Sequence, residues 1–184
     1  MDDLQAILRM KHGDPGGLEI LMERYQVRGA RAAFLITHDE SIAQDIVQET
    51  FIRIYQRIYQ FDESHPFEPY LMRSIINAAL NAVRGNARFI SLDSDVNGLE
   101  NLLDQATSVE SQIEFVQLQH KILEALSKLS PRQRAVIVQR YYLDISEKEM
   151  ALALDAAPGT VKWLLNAARS RLRHLLGQKG EPNE

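Results

Sequence analysis

The sequence contains no cysteine. Disulfides, thiolate nucleophiles and cysteine-bound zinc are excluded together, and the chain fits a reducing compartment. No apolar run approaches the length of a membrane span, so no membrane insertion is expected. Asp2 and Asp3 stand where a secretory leader would be basic, which makes the cytoplasm the expected location. His12, His38, His65, His120 and His174 are scattered, and no pair has metal-ligand spacing. A glycine-rich phosphate loop and a nucleophile elbow are also missing. The expectation is therefore no catalytic residue, no metal and no cofactor.

Strand-like alternation is absent too. Apolar residues recur at spacings of three and four, which predicts an all-α protein. A first short helix ends before Gly13, Pro15, Gly16 and Gly17. Helices are predicted over about 16–36, 40–60 and 67–86, with a loop at 61–67. Residues 87–112 lose the periodicity and turn acidic: residues 91–110 hold five acids and no base. They read as a flexible linker. Three further elements follow from about 112. One opens at Ser130-Pro131 with Gln133 placed to close a capping box, and the next repeats that arrangement with Ser146 and Glu149. The predicted organisation is two small helical domains, residues 1–90 and 112–177, joined by a linker at 91–111 and followed by a tail at 178–184.

Net charge is −4, yet residues 158–180 carry five bases and no acid. On a helical wheel Val161, Leu164, Leu165, Ala168, Leu172, Leu175 and Leu176 form one stripe. Lys162, Asn166, Arg169 and Arg173 form another on the far side, and Trp163 falls nearly opposite the apolar stripe. A short helix, a tight turn and a second helix with a polar outer stripe make a helix-turn-helix, whose second helix enters the DNA major groove. A solvated helical hairpin would also be polar outside. It would not explain charge of one sign together with an exposed Trp.

The 40–60 helix offers a second surface. Ile42, Ala43, Ile46, Val47, Phe51, Ile54 and Ile58 fill a broad core arc. Asp45, Gln48, Glu49 and Gln56 occupy the opposite arc, with Ile52 and Tyr59 among them. An apolar centre in a polar rim suits protein docking. Beyond it Tyr55, Tyr59, Phe61, Phe67 and Tyr70 cluster near Arg73, Asn77, Asn81, Arg84 and Arg88. Aromatic platforms beside Arg and Asn suit unstacked, single-stranded bases.

"DIVQETFIRIYQRI", continuing into "YLMRSIINAALNAVR", resembles region two of bacterial RNA polymerase sigma factors. "LSKLSPRQRAVIVQRYYLDISEKEMALALDAAPGTVKWLLNAARSRLRHLL" resembles region four. Their order, the short chain and the single linker match the extracytoplasmic-function (ECF) type. The resemblance implies a factor that binds core RNA polymerase and directs promoter-specific initiation. Asp45, Gln48, Glu49, Ile52 and Gln56 would dock on the clamp helices of the beta-prime subunit. The 61–67 loop, with Tyr59, Phe61, Phe67, Tyr70, Arg73, Asn77, Asn81 and Arg84, would bind the minus-ten promoter element. Thr160, Lys162, Trp163, Asn166, Arg169 and Arg173 would read the minus-thirty-five element, with the beta flap as region four's contact on the polymerase. The acidic linker would thread toward the RNA exit path. ECF factors are commonly held inactive by an anti-sigma partner, and the resemblance implies such a partner without identifying one.

Three departures accompany the resemblance. Tyr70 stands where the family usually has Trp. Trp163 and Ala167 stand where many members have a small polar and a basic residue. Asp155 replaces a common turn glycine. At Tyr70 stacking survives with altered packing, and the region-four departures imply that region four reads an unusual element or binds weakly. The competing reading is a helix-turn-helix regulator with residues 1–90 as a sensor domain, which leaves the Asp45–Gln48 face and the loop aromatics unexplained.

Overall fold

The computed structural model describes residues 2–85 and 109–177. Among them every regular element is helical, as the periodicity predicts. The chain divides into two compact units, Met1–Arg88 and Phe89–Glu184. Most of the predicted linker, the tail and Arg88 lie outside the described residues.

In the first unit α1 spans Asp3–Lys11, α2 Gly16–Thr37, α3 Glu40–Gln56 and α4 Phe67–Gly85, with a 3-10 turn at Ile58–Gln60. The predicted 40–60 helix therefore breaks at Arg57 and tightens before the loop. The interior is built where α2, α3 and α4 meet. On α4, Phe67, Leu71, Met72, Ile75, Ile76, Ala79, Leu80 and Val83 are all buried, the three-and-four spacing of a helix with one apolar face. Each fully buried Leu or Ile there contributes roughly 1.5–3 kcal/mol. Gly29 lets the helices approach: a Cβ on it would stand 2.7 Å from Ile75 Cδ1. At Gly17, in the first turn of α2, a Cβ would collide with the Ala6 carbonyl oxygen, so this glycine lets α1 and α2 pack. Ile42, expected in the core, is only half-buried because it lies in the first turn of α3.

The α2–α3 connection is tight. His38 caps α2 in the left-handed region at φ 57°. Asp39 then opens α3, its Oδ1 accepting from the Ile42 N–H at 2.8 Å.

In the second unit α5 spans Val109–Ser127, α6 Pro131–Ile137, α7 Glu147–Ala153 and α8 Pro158–Leu175. Both predicted capping boxes are present, Ser130 with Gln133 and Ser146 with Glu149. Donation from the Ser146 hydroxyl, and then from its backbone N–H, holds the Glu149 carboxyl below the ordinary glutamate range. Between α6 and α7 the chain makes a π turn, Val138–Tyr142, closed by the Leu143 N–H on the Val138 carbonyl at 3.0 Å. Val136, Met150, Val161 and Leu165 are fully buried where α6, α7 and α8 converge. Ala151 is buried on α7. The apolar stripe of α8 is not buried along its whole length: Leu172 and Leu175 are half-exposed and Leu176 is exposed.

Tyr25 ties α1 to α2, its hydroxyl donating to Asp3 Oδ2 at 2.6 Å. Burial, then the carboxylate that takes the hydroxyl proton, push Tyr25 up to about 12 from 10.0. The fold thus favours the neutral phenol. That stability is present below pH 10 and is lost as pH rises toward 12. A tyrosinate absorbance titration should show a late-titrating tyrosine. Tyr25→Phe should remove it and flatten the alkaline fall in stability; a late phase that persists would refute the assignment.

Candidate functional site

Three exposed surfaces carry the chemistry singled out in the sequence, two on the first unit and one on the second. The first lies on α3. Asp45, Gln48, Glu49, Ile52 and Gln56 are all exposed, while Ala43, Ile46, Val47, Phe51 and Ile54 are buried beneath them. Ile52 is 53% exposed, an apolar residue left in water at the middle of a polar face. Among the described residues this face carries one loose ion pair, Arg53 to Glu49 at 3.9 Å, which leaves its carboxylates and amides open to a partner.

The second surface is formed by the loop after the 3-10 turn and the outer face of α4. Tyr59, Tyr70, Arg73, Asn81 and Arg84 are exposed and Asn77 is half-buried. The α4 members recur at three and four residues, opposite the buried Leu71–Ile75–Ile76 face. Phe61 and Phe67 are a correction. Phe67 is 2% and Phe61 9% exposed, so neither presents a ring to a base. They are supports instead. Phe61 meets Phe67 edge-on with centroids 5.8 Å apart and lies 5.1 Å from Tyr70, while Phe67 in turn packs 6.0 Å from Tyr25. The exposed Tyr70 ring is thereby held at the surface by a packed aromatic cluster.

Sequence reasoning missed what shapes this loop. Lys11 reaches from α1 and donates to the Phe61 carbonyl at 2.9 Å and to Glu63 Oε1 at 2.7 Å. Asp62 Oδ1 accepts from the Ser64 N–H at 2.9 Å. That bond leads the causes holding the Asp62 carboxyl below its ordinary range. The Asp-Glu-Ser string carries a local turn signal. No local pattern announces a lysine fifty residues away.

The third surface is the outer face of α8. Thr160, Lys162, Trp163, Asn166 and Arg173 are exposed and Arg169 is half-buried. Trp163 is 66% exposed, on the side away from buried Val161, Leu164, Leu165 and Ala168. Lys162, Arg169, Arg171 and Arg173 have no carboxylate partner among the described residues. Their charge is uncompensated, as expected of a surface that meets polyanions. α7, a turn at 154–157 and α8 make the predicted helix-turn-helix. The Ala156 N–H closes the turn on the Ala151 carbonyl at 3.0 Å, and Asp155 sits in the left-handed region at φ 47°. Also missed were Tyr141, which stands exposed on the π turn, and Arg134, whose buried guanidinium is lowered by desolvation. Arg134 lies on the apolar side of a seven-residue helix, too short for periodicity to expose the conflict.

The described residues contain no group of His, Asp and Glu that could hold a metal, and no helix long and apolar enough to cross a membrane.

Comparison with known proteins follows the same division. The family model for Sigma-70 region 2 matches residues 21–89, and that for Sigma-70, region 4 matches residues 119–172. The chain is 28% identical over 178 residues to the ECF RNA polymerase sigma factor SigW of Bacillus subtilis, covering 94% of this chain and 95% of that one. It is 31% identical over 167 residues to the RNA polymerase sigma-E factor of Streptomyces avermitilis, covering 91% and 89%. Its fold is similar, at a TM-score of 0.66 and 22% identity, to the sigma factor RpoE of Bartonella quintana solved with the anti-sigma factor NepR. That likeness covers 88% of this chain and 99% of the other.

The strained turn makes a direct prediction. A left-handed backbone costs a residue with a Cβ roughly 1–2 kcal/mol and glycine little, less being recovered at Asp than at other residues. Asp155→Gly should therefore stabilise the second unit by about 0.5–1 kcal/mol in urea melts. A destabilised variant would show that the Asp155 side chain contributes more than its backbone costs.

Proposed function

The chain belongs to the sigma-70 family as an ECF sigma factor, and from that premise we propose how its surfaces divide the work of initiation. A sigma factor is a transcription initiation factor, not an enzyme. It binds core RNA polymerase and directs it to promoters.

We assign residues 1–90 to region two, 91–111 to the linker and 112–177 to region four. The α3 face of Asp45, Gln48, Glu49, Ile52 and Gln56 docks on the clamp helices of beta-prime. Its support is the exposed Ile52 ringed by acid and amide groups, the pattern of a docking patch. The loop and α4 face bind the non-duplex minus-ten strand. Tyr59 and Tyr70 are the exposed rings for stacking, while Arg73, Asn77, Asn81 and Arg84 supply polar contacts. Phe61 and Phe67 act behind Tyr70. In region four, α8 enters the major groove of the minus-thirty-five element. Lys162, Asn166, Trp163 and Thr160 lie over the bases, with Arg169 and Arg173 toward the backbone. The beta flap is region four's polymerase contact, and the compartment is the cytoplasm. An anti-sigma factor is a further partner, supported by the complex in which the Bartonella quintana relative was solved.

The observation that carries this reading is the presence on one chain, in order, of a docking helix with an apolar centre and a helix-turn-helix with an acid-free outer face. The test is initiation in vitro with purified protein, bacterial core polymerase and a genomic promoter library, with start sites mapped. New starts sharing an upstream element are expected. No binding to core and no new starts would return the chain to the regulator reading.

Two variants probe the surfaces separately. Asp45→Ala combined with Gln48→Ala should weaken core binding about ten- to a hundredfold, as loss of central interface contacts does. Its melting temperature should be unchanged because both residues are exposed, and unaltered affinity would remove the α3 assignment. Lys162→Ala should weaken holoenzyme binding to promoter duplex and lower the salt-dependence slope by about one. A slope identical to the parent's would take Lys162 off the DNA.

A further inference from the structure

Tyr141 is an aromatic residue that the assigned surfaces leave unused. It stands on the π turn between α6 and α7 and is 63% exposed. Its partner is Arg169 of α8. Arg169 Nε donates to the Tyr141 hydroxyl at 2.8 Å, and the guanidinium carbon lies 5.7 Å from the ring centroid. The two residues are 28 apart in sequence, so the contact is made by the fold.

The chemistry of the pair is informative. A carboxylate partner would neutralise Arg169. A phenol leaves its full charge in place and fixes only its direction. The hydrogen bond occupies Nε, on the inner edge of the fork, and no described residue takes the terminal amino groups. Arg169 is half-buried, whereas Lys162, Trp163 and Asn166 are exposed. On the wheel it lies at the flank of the outer stripe, beside the buried Val161 and Leu165. A flanking residue of a helix in the major groove faces the sugar-phosphate wall, not the base edges. The π turn adds an unused feature of its own. Such turns are rare and occur often at functional sites. This one carries the ring that meets α8.

Resting on the assignment of α8 to promoter duplex, we propose that Tyr141 is a positioning residue. It holds Arg169 preset so that the terminal N–H groups engage one backbone phosphate at the edge of the minus-thirty-five element. An unrestrained arginine loses rotamer freedom on binding, and a braced one has already lost it.

The experiment is a double-mutant cycle with full-length protein in holoenzyme, on a promoter fragment recovered from the start-site assay. Affinity is measured across a salt series and on fragments with altered minus-thirty-five sequences. Arg169→Ala should weaken binding uniformly across sequences and lower the salt slope by about one. Tyr141→Phe keeps the ring and removes the hydroxyl. It should weaken binding about three- to tenfold, uniformly, with the charge count and salt slope unchanged. In an Arg169→Ala background Tyr141→Phe should cost nothing more. In an Arg169→Lys background it should also cost nothing more, because lysine has no Nε–H in that place. The melting temperature should not move in any of the Tyr141 variants.

An equal Tyr141→Phe loss with and without Arg169 would overturn the proposal, since Tyr141 would then act on DNA or on the fold by itself. A full Arg169→Ala loss with no Tyr141→Phe loss would overturn it as well. If Arg169→Ala leaves binding untouched, the placement of this face of α8 on DNA fails, and the positioning role falls with it.

Discussion

Burial of one apolar face per helix is the constraint on which both units depend. In the first unit the Leu71–Ile75–Ile76 face of α4 must be covered, and α2 and α3 cover it. Once that face is turned inward, geometry alone sends Tyr70, Arg73, Asn81 and Arg84 outward. The same argument acts on α3, where seating Ile46, Val47, Phe51 and Ile54 leaves Asp45, Gln48, Glu49 and Ile52 in water. In the second unit, seating Val161, Leu164, Leu165 and Ala168 presents Lys162, Trp163 and Asn166 as a rigid row.

The loop before α4 follows a different logic, because residues 62–66 are exposed and cannot be held by burial. They are held by a peg and a platform. Lys11 fastens the backbone at Phe61 and the side chain of Glu63 from α1, and Asp62 closes a local turn on Ser64. Beneath it Phe61 and Phe67 pack edge-on and brace Tyr70. The buried aromatics thus fix the orientation of the ring that is exposed. The 3-10 turn at Ile58–Gln60 follows α3 and leads into this loop within the same unit.

The second unit shows how backbone and charge divide their roles. Serine capping boxes start α6 and α7 at defined residues, so the lengths and phases of both short helices are set locally. The connection between them is less regular. A π turn displaces Tyr141 toward α8, and a left-handed Asp155 makes the final turn into the reading helix. Neither is the cheapest local conformation. Both lie next to the exposed basic face of α8, and strained or irregular backbone is commonly retained at functional surfaces.

The sequence by itself determined the helical class, most helix positions, both serine caps and the exposed arcs of α3, α4 and α8. The reason is that a period of 3.6 and a capping box are local properties, complete within a few turns of chain. The resemblance marked Asp155 only as a replaced turn glycine; its left-handed backbone came from the structure. Only the tertiary structure decided the rest. Wheel positions do not say how far a partner helix extends, so the exposure of Leu176 at the end of the α8 stripe was not visible. Aromatic identity does not separate a stacking ring from its support, so Phe61 and Phe67 were assigned to DNA when packing against Tyr25 and Tyr70 buries them. Lys11 on Phe61 and Tyr141 on Arg169 join residues far apart in sequence. Contacts of that kind exist only after the cores have formed and brought the two partners within reach.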